Sequence, residues 1–168
     1  YVPQWSGVIT KLVALTAIHN DGEKRRAAVT NLTSIIVQFH AIVPVQYVVT
    51  ALIDTLNHGD TRLIALSALR TLVAANSDLL EKQGPHLSSL LLNFLQPGKT
   101  QFLKLETLQT LIALCRIDAV VSMTFTTFNW LFECFQCDSE IVEVAVAART
   151  LHLATILAKR GHASAILM

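Results

Sequence analysis

The sequence predicts an all-α fold of about four stacked helical hairpins, eight helices in all. Three observations carry this expectation. Apolar residues recur at the helical period of about 3.6, turn residues punctuate the chain at a nearly constant spacing, and two kinds of turn alternate along it.

The helical period is clearest between Pro44 and Leu72. Val48, Val49, Leu52, Ile53 and Leu56 keep an apolar stripe on one side of a helix, and Gln46, Thr50 and Asp54 fall on the other. Asn57-His58-Gly59-Asp60 breaks the pattern, because glycine tolerates a positive φ and Asp60 is expected to cap the next helix through its side-chain oxygen. Leu63, Leu66, Leu69 and Leu72, with Ala65 and Ala68 between them, begin that next helix.

The other elements follow in order. Pro3 opens a helix with Val8, Ile9, Leu12, Val13 and Ala17 inward, closed by His19-Asn20-Asp21-Gly22. A second helix starts near Glu23, buries Ala28, Val29, Leu32, Ile35 and Ile36, and fades near Phe39-His40. After the central hairpin, which runs to about Asn76 or Leu80, Gln83-Gly84-Pro85 marks a break. Leu87, Leu90, Leu91, Phe94 and Leu95 then form a helix closed by Gln96-Pro97-Gly98. Phe102, Leu105, Leu108, Leu111 and Ile112 carry the next to about Cys115. Val120 to Phe135 is the seventh helix and Ile141 to Lys159 the eighth.

The punctuation repeats. Pro3, Pro44 and Pro85 are each 41 residues apart and each opens a helix, where a missing N–H does no harm. Gly22, Gly59 and Gly98 are 37 and 39 residues apart, each in the turn that leaves such a helix. Recurrence at about 40 residues is the mark of stacked helical hairpins.

The run from Gln46 to Leu56, then Gly59-Asp60-Thr61-Arg62-Leu63-Ile64-Ala65-Leu66-Ser67-Ala68-Leu69, resembles the HEAT repeat of the HEAT/armadillo superfamily. Arg26-Ala27-Ala28-Val29 with Leu32 is similar, as is Leu105-Glu106-Thr107-Leu108 with Leu111, and Ile141 to Leu151 is a weaker copy. The resemblance spans nearly the whole chain. It divides the chain into a partial repeat over 1–20, repeats over about 21–58, 59–97 and 98–137, and a partial repeat over 138–168. It implies a right-handed α–α superhelix with a polar ladder of turn Asp and basic residues, although Gln101 and Glu140 stand where the later repeats should have their basic residue.

Composition narrows the function classes. Apolar residues make up 52% and charged residues 15%, against about 25% charged in ordinary soluble domains, so much of this chain's surface must be covered. A net charge of +1, with Lys24-Arg25-Arg26 as the only basic cluster, gives little electrostatic reason to expect nucleic acid. That cluster reads as a solvated first helical turn. Ala27 to Ile53 has no Asp, Glu, Lys or Arg and is longer than the ~20 residues a span requires. Asn31, Gln38, His40, Pro44 and Gln46 interrupt it, however, and no transmembrane segment is expected. The chain begins Tyr1-Val2-Pro3 without an initiator Met or charged n-region, which points to a piece of a longer protein that continues into flanking helical repeats. Three cysteines, Cys115, Cys134 and Cys137, are an odd number, which argues for reduced thiols in the cytoplasm or nucleus.

Chemical motifs are sparse. Cys134-Phe135-Gln136-Cys137 has the spacing of half a zinc site, but the chain has no second CxxC and only scattered histidines. No phosphate loop, HExxH, GxSxG or kinase constellation occurs, and Asp54, Glu106, Glu133 and Glu143 stand singly. Neither enzymatic activity nor a cofactor or metal is expected.

A binding wall is the better prospect. In the HEAT family the concave wall comes from the second helix of each repeat, which the resemblance implies are here the helices after the Pro-marked turns. Aligned by proline, their outward residues are Ser6 and Thr10 beside Lys11, then Gln46, Thr50 and Asp54, then His86, Ser89 and Asn93, then Thr126, Asn129 and Glu133. This lining is polar and nearly uncharged, which suits a partner peptide or helix. Between Val120 and Phe135, Phe125, Phe128, Phe132 and Phe135 take one face of a helix, and Met123, Trp130, Cys134 and Cys137 lie near the other. Trp130 is then either core or, if exposed, an interface anchor. Armadillo-type recognition of nuclear-localisation signals would place Trp and Asn one turn apart on successive inner helices, whereas Asn129 and Trp130 are adjacent and the other repeats lack the Trp. Base reading by helical repeats would need a stacking aromatic and polar pair in every repeat, which is absent. The expected function is a non-catalytic scaffold or adaptor segment that binds a protein partner, and the alternative is a structural spacer.

Overall fold

A computed structural model describes residues 2–96, 98–126 and 141–166, with side chains over 5–96, 98–124 and 144–160. Every regular element among them is helical. The chain divides into two compact units, Tyr1–Leu80 and Glu81–Met168.

The first unit holds α1 (Val2–Thr16), α2 (Gly22–Phe39), α3 (Val45–Asp54) and α4 (Arg62–Ala75), with 3-10 turns at Thr55–Asn57 and Ser77–Leu79. Asp21 caps α2 by accepting from the Lys24 N–H at 3.0 Å, and Pro44 stands at the N-cap of α3. Helix α1 pairs with α2 and lies beside α3, while α2 lies beside α4. Two hairpins therefore stack with like helix against like helix. Leu32, Ile36, Leu52, Ile53, Leu56, Leu66, Leu69 and Leu72 are fully buried between the layers, each contributing about 1.5–3 kcal/mol.

The second unit repeats this plan with α5 (Gly84–Asn93), α6 (Gln101–Leu114), α7 (Asp118–Thr126) and α8 (Ile141–Ile166), after a 3-10 turn at Glu81–Gln83. Here α5 lies beside α7 and α6 beside α8. Leu87, Leu91, Leu108, Leu111, Leu114, Leu153 and Leu157 are its core. Gly84 lets α5 approach α7, since a Cβ there would stand 3.3 Å from both Ala119 and Ile117 side chains. Gly98, at φ 89°, makes the turn into α6, and Thr100 caps that helix by accepting from the Leu103 N–H at 3.2 Å.

Threonine is abundant in these helices, and several of its hydroxyls are satisfied locally. Thr33, Thr107 and Thr150 are buried and donate to the carbonyl one turn back at 2.7, 2.7 and 2.8 Å, a bond that lets a β-branched polar residue sit inside a helix.

Several expectations are corrected. Asp60 does not cap α4. Thr61 takes that position without a side-chain cap bond and turns inward, donating to the Thr55 carbonyl at 2.8 Å. The Asp60 carboxylate instead accepts from Arg25, because a guanidinium is the stronger donor. Arg25 is accordingly only 8% exposed, so the basic cluster is not uniformly solvated. Gly59 does not use a positive φ. Val8, Ala17, Leu63 and Phe102 are exposed rather than inward. Successive helical residues turn by about 100°, so once Ile9 takes the buried line of α1, Val8 faces away.

Candidate functional site

Three sets of side chains bear on function: the predicted wall, the arginines that close the turns, and a groove between α2 and α4.

On α3, Thr50 and Asp54 are exposed and Gln46 is half-buried. Thr50 donates its hydroxyl to the Gln46 carbonyl at 2.8 Å, and the Gln46 Oε1 is buried without a hydrogen-bond partner. On α5, His86, Ser89 and Asn93 are all exposed. The structure thus brings 46, 50 and 54 onto one face of α3, and 86, 89 and 93 onto one face of α5. Thr126 ends α7, its side chain beyond those described, and Asn129, Trp130 and Glu133 lie outside the described residues, as do Cys134 and Cys137.

The turns of the first unit are closed by arginine. Arg25 donates through Nη1 to the Ile18 carbonyl and through Nη2 to Asp60, tying the α1–α2 turn to the α3–α4 turn. Arg62, 37 residues on, donates through Nε to the Leu56 carbonyl at 2.8 Å. Each arginine opens the second helix of its hairpin and holds the end of the first. The Arg25 guanidinium keeps the Asp60 carboxyl below the ordinary carboxylate value. The second unit uses another position: Arg160, on α8, donates to the Cys115 carbonyl and to Asp118 at the start of α7. Cys115 is buried, which pushes its thiol up to about 11, only partly opposed by the Arg160 charge. Among the described residues no group of three or more His, Cys, Asp or Glu side chains is placed to hold a metal.

The groove was not anticipated. It has a volume of about 220 Å3 and runs between α2 and α4. Val29, Thr30, Thr33 and Ser34 form one side, and Ile64, Ser67, Ala68 and Thr71 the other. Thr30 and Ser34 are one turn apart on α2, and Ser67 and Thr71 stand at the same two positions of α4, 37 residues later. The spacing of Gly22 and Gly59 is the same 37, and applying it to the polar residues of α2 was the signal that would have found this pair of hydroxyl pairs. The predicted wall was aligned by proline at 41 residues, which selects α3 and α5 instead.

Among the described residues no helix is long and apolar enough to cross a membrane. Comparison with protein-family models, curated proteins and solved structures finds no match to this chain.

Proposed function

We propose that the chain is a HEAT/armadillo-type α-solenoid of about four hairpins, and that it acts without catalysis as a scaffold or adaptor holding a protein partner on a helical wall. The observation that carries this reading is the groove between α2 and α4, whose two sides carry a hydroxyl pair at the same helical positions. Support also comes from the like-against-like stacking within each unit, which leaves the outer face of a helical layer open as a continuous surface. The odd cysteine number fits a cytoplasmic or nuclear setting.

The test compares partner capture by the wild-type chain with two still-helical variants. One carries Gln46→Ala, Asp54→Lys and Asn93→Ala on α3 and α5, and the other carries Thr30→Lys and Ser67→Trp on α2 and α4. The adaptor reading expects a defined set of captured proteins that at least one variant loses. Capture that neither variant changes would favour the spacer, whose repeats set distance while other regions bind.

A further inference from the structure

We draw no further inference here: the strongest candidate, the line of exposed apolar side chains at Val144, Ala148 and Leu151 on α8, carries none, because nothing in the structure shows what covers it.

Discussion

Arg25 and Asp60 form an ion pair across two turns, 35 residues apart in sequence, and Arg25 is nearly buried in making it. The pair joins one hairpin to the next, so its loss is felt in the packing of α2 on α4. Its pH dependence has a definite sign. The Arg25 hydrogen bond holds the folded Asp60 carboxyl below its ordinary value of 3.8. A depressed carboxyl contributes stability that is present above the unfolded value and lost as pH falls through the lower folded one. Asp60→Asn is therefore expected to be less stable than wild type near neutrality, with the gap closing below 3.8. Urea midpoints followed from about pH 7 to about pH 2 check this. A gap that stays constant with pH would mean that the pair's charge is not what stabilises the junction. Asp21, held low mainly by the Lys24 backbone N–H, keeps part of the acid limb in the variant.

Gly22 is the counterpart of that pair. A Cβ at this position would stand 2.5 Å from Asp60 Oδ2 and 3.3 Å from Arg26 Nη1. Arg26 is exposed and can swing away, but Asp60 can move only by leaving Arg25. Gly22→Ala is thus expected to lower the melting temperature although it replaces glycine by a better helix former within α2. The same substitution in an Asp60→Ala background should cost nothing or stabilise, because the obstructing carboxylate is gone. A double-mutant cycle measures this coupling. Equal effects in the two backgrounds would show that the glycine is not required by Asp60.

Leu63 and Leu66 look equivalent in the pattern of the fourth helix, yet their surroundings differ. Leu66 is fully buried, and Leu63 is 41% exposed. Leu66→Ala leaves a cavity and is expected to cost about 2–5 kcal/mol, whereas Leu63→Ala should stay within about 1 kcal/mol. Chemical denaturation of the two variants distinguishes them. Comparable losses would place Leu63 in a packed interface rather than on an open surface.

What could be read from the sequence was the part governed by period. The stripe Val48, Val49, Leu52, Ile53 and Leu56 is buried as expected, because a helix must place those positions on one side. Pro44 marks the start of its helix for an equally local reason. Period alone could not tell Arg25 from Arg26, since neighbouring residues differ by one 100° step and only the position of Asp60, 35 residues away, selects between them. Asp60 itself was misread because capping is the local option and the ion pair the distant one. Of the predicted wall, Ser6, Thr10 and Lys11 can be placed on α1, and Gln46, Thr50, Asp54, His86, Ser89 and Asn93 on α3 and α5. The groove was missed because Thr and Ser carry no strong signal in a helix, and only the contact of α2 with α4 gives their spacing meaning.

Cys115 offers a last measurement, on the core of the second unit. It is buried near the end of α6, and burial raises its thiol to about 11. At pH 7 only about one such thiol in ten thousand is ionised, and the thiolate is the reactive form. A Cys134→Ser, Cys137→Ser variant leaves Cys115 as the sole cysteine. Its reaction with a thiol-specific reagent at neutral pH is expected to be at least about a hundredfold slower than that of an unperturbed thiol, and to recover fully in urea. Replacing Arg160 by Met removes the one nearby charge that favours the thiolate and also the bonds to the Cys115 carbonyl and Asp118. If the thiol is protected mainly by burial, Arg160→Met should speed labelling, because it loosens the turn that covers Cys115. If electrostatics governed reactivity, the same variant would slow it, so the direction of the change identifies which effect controls the thiol.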